Sequence, residues 1–239
     1  MTPLLPHIFT TLNLFAGFFA IIASFEGRFY QAGVAILLAI VFDVFDGRIA
    51  RLIGQMSKFG KEFDSLADMV SFGIAPAVLI YNFSLRGFSR MGWLACFLYA
   101  ACVALRLARF NVKSSSTLYF EGLPSPAGGA IISATVLLLL NLGVEPFYRN
   151  WLLLIMVYLL AYLFISPIKY PAFKEIKIKS AQTFYFLVLF LLMLTLTAAN
   201  PPLLLFVFVA FYILIGPFVL FGRYGSRFFK KIFKRGQKT

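Results

Sequence analysis

The sequence predicts an all-α, polytopic transmembrane helical bundle of about eight spans, and three observations lead there. Of 239 residues, 61% are hydrophobic and only 13% charged, whereas a soluble domain is nearer half apolar and a quarter charged. The mean hydropathy is +0.89. The apolar residues fall in continuous stretches of roughly twenty, the length of a helix that crosses hydrocarbon. These figures exclude a water-soluble globular enzyme, a disordered chain and the usual kind of nucleic-acid-binding domain. Continuous runs also exclude a transmembrane β-barrel, whose strands alternate. A single integral-membrane domain over 1–221 is expected, followed by a tail at 222–239.

In chain order the expected spans are 9–25, 30–53, 61–83, 91–112, 125–143, 148–166, 181–198 and 202–221. The first lacks a basic segment before it and reads as a retained span, not a cleaved signal peptide. The fourth carries Cys96 and Cys102, six apart on one helix. That spacing is poor for a disulfide, so both read as packing residues. The polar stretches 113–124 and 167–180 read as true loops. Ser125-Pro126 opens the fifth span as an N-cap followed by a first-turn proline. In the tail, Arg227, Lys230, Lys231, Lys234 and Arg235 alternate with Phe228, Phe229, Ile232 and Phe233. This reads as a basic amphipathic segment lying on an anionic leaflet.

An even number of spans puts both termini on one side. If that side is the cytoplasm, Arg48, Arg51, Lys58, Lys61, Arg106, Arg109, Lys113, Lys169, Lys174, Lys177, Lys179 and the tail's basic residues all lie inside. Of the 22 basic residues only Arg28, Arg86, Arg90 and Arg149 then lie outside. Such asymmetry fixes the expected orientation in a cell membrane, and it accounts for the net charge of +13 without nucleic acid.

Acidic residues are few, and all four aspartates, Asp43, Asp46, Asp64 and Asp68, fall in one 26-residue window. Spacings of three and four put each pair on one face of its helix. A hairpin of the two helices brings the pairs together near the cytoplasmic interface. Each aspartate costs about 2.5–3.5 kcal/mol at the centre of an inserted helix. A divalent cation removes that cost. With oxygen ligands and no His or thiolate nearby, Mg²⁺ or Mn²⁺ is favoured over Zn²⁺.

The residues between the aspartates run Asp43-Val-Phe-Asp46-Gly47-Arg-Ile-Ala50-Arg51, then eight residues, then Gly60-Lys-Glu-Phe-Asp64-Ser-Leu-Ala-Asp68. This resembles the signature of the CDP-alcohol phosphotransferases, D-x2-D-G-x2-A-R-x8-G-x3-D-x3-D, at every fixed position. The resemblance implies a metal-dependent enzyme, typically homodimeric, with Asp43, Asp46 and Asp64 as metal ligands. It also implies that Asp68 is the general base and shares in metal binding. Gly47, Ala50 and Gly60 leave room for a nucleotide or pyrophosphate against the backbone, and Arg51 can reach a phosphate.

The motif does not name the acceptor alcohol. The opening Pro6-His7-Ile-Phe-Thr10-Thr11-Leu-Asn13-Leu-Phe-Ala-Gly17 resembles the P-N-x-x-T-x-x-N-x-x-x-G opening of membrane-embedded bacterial and archaeal phosphatidylserine synthases. Asn13 is placed with the nucleotide contacts. His7 stands where Asn is usual, and no role is assigned to it. The stretches Ala104–Asn111 and Gly122–Gly129 look typical of the same subgroup. Arg106 and Arg109 share a helical face near the level of the aspartates and suit a carboxylate or phosphate. Asn111 and Ser125 join them as acceptor or phosphate contacts, Ser125 at a helix start whose N–H groups favour anions.

The resulting expectation is transfer of a phosphatidyl group from CDP-diacylglycerol to L-serine, with release of CMP. One rival is the same chemistry on glycerol 3-phosphate or an inositol phosphate, which calls for additional basic residues. A more distant rival is a divalent-metal transporter, which calls for acidic residues across the bilayer depth.

Overall fold

The computed structural model describes residues 4–53, 58–112, 119–146, 149–171 and 200–216. Eight α-helices form its body: α1 (Leu4–Phe25), α2 (Phe29–Ile53), α3 (Lys58–Asp68), α4 (Ala75–Phe83), α5 (Arg90–Val112), α6 (Ser125–Asn141), α7 (Trp151–Ile165) and α8 (Pro201–Gly216). A π-helical turn, Met69–Ile74, joins α3 to α4 in one rod, and a 3₁₀ turn, Leu85–Phe88, leads into α5. The helices coincide with seven of the expected apolar segments. The segment 181–198 and the tail 222–239 lie outside the described residues.

Three helical stretches among the described residues, His7–Phe25, Lys58–Phe83 and Arg90–Val112, are long and apolar enough to cross a membrane. The helix α2 spans 25 residues and carries its charges in its second half. The shorter helices α6, α7 and α8 are also apolar.

Large apolar residues crowd the exterior as well as the core. Large apolar side chains such as Phe15, Phe97, Leu152, Phe208 and Phe211 face outward. The seam between α1 and α2 is built of small ones: Ala16, Ala20 and Ala23 on α1, and Ala32, Ala35 and Ala39 on α2, all buried. Small residues let helix backbones approach closely where no hydrophobic driving force separates protein from lipid. An apolar exterior around closely approached helices is the surface of a membrane-embedded bundle, and large side chains such as Phe72, Phe83, Tyr99 and Phe164 fill the core beyond the alanine seam. The helix α8 belongs to this body, with Ile213 buried and Phe206, Val209, Ala210 and Tyr212 packed on the core. Cys96 and Cys102 are buried free thiols, as their spacing implies.

Charge separates along the bundle. Arg28, Arg86, Arg90 and Arg149 all sit at the end where α1 turns into α2, α4 into α5 and α6 into α7. There Arg28 pairs with Glu26, and the Arg149 guanidinium rests on the rings of Phe88 and Trp151 at 4.6 and 5.2 Å. Asn150 caps α7, its side chain accepting from the Leu152 N–H at 2.9 Å. The aspartates lie at the opposite end.

One expectation needs correcting. The polar stretches read as plain loops meet in an antiparallel ribbon, β1 (Tyr119–Glu121) against β2 (Lys169–Pro171), with Phe120 opposite Tyr170. Gly122 follows β1 at φ +83° and donates its N–H to the Ile168 carbonyl at 2.8 Å. A Cβ there would also collide with the Phe164 carbonyl oxygen, so the turn needs glycine on two counts. The ribbon is the tertiary partner that no local pattern in either loop announces.

Candidate active site

The helices α2 and α3 run antiparallel and bring their aspartates together against α1. One carboxylate oxygen from each of Asp43, Asp64 and Asp68 lies within 4.8 Å of the others. Asp68 is buried. The Oδ1 of Asp64 is buried with no hydrogen-bond partner. A buried acceptor left unpaired is costly, and a bound cation would satisfy it. Three hard oxygen donors, with no His or Cys among them, fit Mg²⁺ or Mn²⁺. Asp46 stands beside this trio and within electrostatic reach of Asp43 and Asp64. It is buried and accepts a hydrogen bond from the Thr10 hydroxyl.

The third wall is one face of α1. Thr10, Asn13 and Gly17 follow the i, i+3, i+7 spacing of a single helical stripe. Thr10 meets Asp46. Asn13, expected among the nucleotide contacts, is fully buried and donates through Nδ2 to Asp68 Oδ1 at 3.1 Å. Gly17 lets α1 lie directly on the π turn. A Cβ there would come within 2.7 Å of the Ser71 Cα and closer still to its Oγ. Ser71 in turn donates to the Asn13 carbonyl at 2.8 Å. The π turn begins one residue after Asp68 and is held from the other side by Tyr99, whose hydroxyl donates to the Phe72 carbonyl at 3.0 Å. Single π turns interrupting a helix are frequent at functional sites.

The acceptor-side candidates divide. Arg106 is buried, donates through Nη1 to Ser125 Oγ at 3.2 Å, and lies within electrostatic reach of Asp68. Its Nε is buried without a partner. Arg109, three residues on, points instead to the end of α7, where it donates to the carbonyls of Ile165 and Phe164 at 3.4 and 3.5 Å. Asn111 turns to α3: its Nδ2 donates to Glu62 Oε2 at 3.1 Å and to Ser65 Oγ at 3.0 Å, and its main-chain carbonyl accepts from Lys61 Nζ at 3.0 Å. The structure thus brings Arg106, with Ser125 bonded to it, within electrostatic reach of Asp68, and uses Arg109 and Asn111 to bind helices to one another. Gly47 is exposed on α2 and Gly60 half-buried on α3. Ala50 and Arg51 lie near the end of α2, and their side chains fall outside the described residues.

Several neighbours of the site had no role in the sequence reading. Thr10 is the first; its place three residues before Asn13 was the available signal. His7 lies with its ring 5.8 Å from Phe59 and 6.5 Å from Phe63, within electrostatic reach of Asp46. Tyr212 on α8 comes within electrostatic reach of Arg106. It lies 106 positions from that arginine, and nothing local points to it.

Comparison with known proteins accords with this geometry. The family model described as CDP-alcohol phosphatidyltransferase matches residues 3–163, which include every residue of the cluster and of the Arg106–Ser125 pair. The chain is 34% identical over 215 residues to a CDP-diacylglycerol–serine O-phosphatidyltransferase of Helicobacter pylori, covering 89% of each chain. It is 34% identical over 171 residues to the protein of that name from Bacillus subtilis, covering 72% of this chain and 92% of the relative. An archaetidylserine synthase of Methanothermobacter thermautotrophicus is 37% identical over 169 residues, covering 70% and 69%. The chain belongs to the CDP-alcohol phosphatidyltransferase family, a family of divalent-metal-dependent enzymes.

Proposed function

We propose that this protein transfers the phosphatidyl group of CDP-diacylglycerol to the hydroxyl of L-serine, forming phosphatidylserine and releasing CMP. The observation that carries this reading is the juxtaposition of two unlike sites. A trio of carboxylates suited to a metal-neutralised diphosphate lies beside a buried, under-used arginine suited to an amino acid's carboxylate. The names of the relatives point the same way.

Asp43, Asp64 and Asp68, with Asp46 beside them, would hold a divalent cation, Mg²⁺ or Mn²⁺, which when bound would supply positive charge to the diphosphate. Gly47, Ala50, Arg51 and Gly60 are assigned to the nucleotide from their places in the motif, the small residues for room and the arginine for a phosphate. Arg106 and Ser125 take the serine carboxylate and aim its hydroxyl at Asp68. Asp68 accepts that proton as the serine oxygen bonds to the lipid-bearing phosphorus. The bond from that phosphorus to the bridging oxygen breaks, and CMP leaves with the electron pair. Arg109 and Asn111 serve the site through the helices they lock.

The domain is read as 1–221 in a cell membrane with the site at the cytoplasmic face. The tail 222–239 is read from its sequence alone as a basic amphipathic segment suited to the anionic leaflet, and a homodimer is proposed from the family resemblance.

The deciding experiment uses purified full-length protein, CDP-diacylglycerol and Mn²⁺, with CMP release measured for each acceptor. L-serine is expected to support turnover, and glycerol 3-phosphate and inositol phosphate are not. EDTA is expected to abolish activity, and Mg²⁺ or Mn²⁺ to restore it. Full turnover with a phosphorylated alcohol, or in chelator, overturns the reading.

A further inference from the structure

Two of the four aspartates are gripped by a helix that carries neither of them. The Thr10 hydroxyl donates to Asp46 Oδ2 on α2. One turn along α1, Asn13 Nδ2 donates to Asp68 Oδ1 on α3. Both donors are buried, at 2% and 0% exposure. One turn further, the contact of Gly17 with Ser71 and the Ser71–Asn13 hydrogen bond lock this part of α1 in depth and rotation.

A carboxylate rotates easily about its last bond. A hydrogen bond to one oxygen sets the plane of the group and so the direction of the other. With Asp46 Oδ2 and Asp68 Oδ1 engaged by α1, the plane of each carboxylate is set, that of Asp68 within the trio it forms with Asp43 and Asp64 and that of Asp46 beside it. We propose that Thr10 and Asn13 are positioning residues that orient the carboxylates of Asp46 and Asp68 toward a divalent cation. Neither acts on substrate; each works through the aspartate it holds. The inference rests on the metal-dependent reading above and deepens it.

Outer partners of metal-ligating groups typically change metal affinity or activity by about 10–100-fold. The test is Mn²⁺ binding to the full-length protein in detergent, followed by the electron paramagnetic resonance of free Mn²⁺, with no lipid or serine present. Thr10→Val keeps the shape and removes the hydroxyl; its Kd for Mn²⁺ is expected to rise by roughly 10–100-fold. Thr10→Ser keeps the hydroxyl and is expected to bind Mn²⁺ as the wild type does. Asn13→Ala is expected to follow Thr10→Val. In CMP release, the Mn²⁺ needed for half-maximal rate should rise in step while KM for serine holds. A wild-type Kd in Thr10→Val overturns the proposal. So does an equal loss in Thr10→Ser, because shape and not the hydroxyl would then matter. Should Thr10→Val lose helical content by circular dichroism, Thr10→Ala against Thr10→Ser makes the same comparison. Wild-type protein that binds no Mn²⁺ sinks the metal reading and this inference together. Failure of serine as acceptor leaves the binding comparison standing.

Discussion

Arg106 reaches across from α5 to donate to the hydroxyl of Ser125, 3.2 Å away at the first residue of α6. Both residues are buried, and Nε of the arginine is left without a partner. A guanidinium offers five N–H donors in a planar fork that fits a carboxylate in two places at once. Arg106→Lys keeps the charge and loses the fork. It is expected to raise KM for serine by roughly 30-fold, or about 2 kcal/mol, the low end for a broken buried charge pair. KM for CDP-diacylglycerol should move far less. Ser125→Ala should cost about 1 kcal/mol in the same parameter. Steady-state CMP release with each substrate varied in turn checks both. An equal rise for the two substrates would assign Arg106 to the nucleotide.

Asp64 and Asp68 lie one turn apart on α3 and should fail differently. Asp68→Asn keeps the shape and one ligating oxygen but cannot accept the serine proton. Its kcat is expected to fall by about 10²–10⁴-fold, the usual contribution of a general base, while CDP-diacylglycerol still binds. Asp64→Asn should weaken nucleotide binding along with turnover. Binding of the liponucleotide, measured separately from turnover, distinguishes the two. Equal loss of binding in both would make Asp68 chiefly a ligand.

Gly17 is where α1 touches the π turn. Gly17→Ala places a methyl group against the Ser71 backbone, 2.7 Å from its Cα. Because the obstacle is main chain, relief requires moving a helix. A loss of about 1–3 kcal/mol is expected, as for other overpacked sites, with a lower Tm in detergent. An unchanged Tm would show that α1 and the π turn separate freely.

Asn111 holds α3 to the end of α5 through Glu62, Ser65 and Lys61. Asn111→Ala should lower Tm, at about 1 kcal/mol per lost hydrogen bond, and leave KM for serine near the wild-type value. A rise matching that of Arg106→Lys would place Asn111 in the acceptor pocket instead.

Orientation has its own measurement. A tag after Thr239 and a cysteine in place of Ser115 are both expected to be accessible only from the cytoplasm, as the distribution of Lys and Arg requires. Labelling of either site from outside intact cells would reverse the assigned direction or change the number of spans.

The helices were legible because apolar runs end where charge, Pro or Gly begins, and Ser125-Pro126 marks a helix start, although Pro124 takes the N-cap position expected of Ser125, which is the first helical residue and accepts from Arg106 instead. The aspartate cluster was legible because its spacings are helical and its members have no reason to sit in a membrane without a ligand. What stayed hidden depends on distant partners. Nothing in Met69-Val-Ser-Phe-Gly-Ile74 announces a π turn; Gly17, Asn13 and Tyr99 hold it from other helices. Arg106 and Arg109 look equivalent in sequence, yet one faces Asp68 and the other the end of α7. That outcome depends on where α7 stops, 56 residues after Arg109. The β ribbon is hidden for the same reason, since each strand is only three residues long and its partner lies far along the chain.

The alanine seam between α1 and α2 has a mechanical consequence for chemistry at the far end of the bundle. An aspartate side chain is short, so carboxylates from neighbouring helices meet only if the backbones are already close. Ala23 and Ala32 lie near the turn that joins α1 to α2, and at 1.5 Å per residue Ala32 is about 20 Å from Asp46 along its helix. Each helix is a stiff lever pivoting near that turn. A bulkier side chain wedged into the seam would splay the levers, and the displacement would grow toward the end where Thr10 meets Asp46. Residues with no polar atom in their side chains, some of them about 20 Å from the aspartates, thereby set how far apart the carboxylates stand.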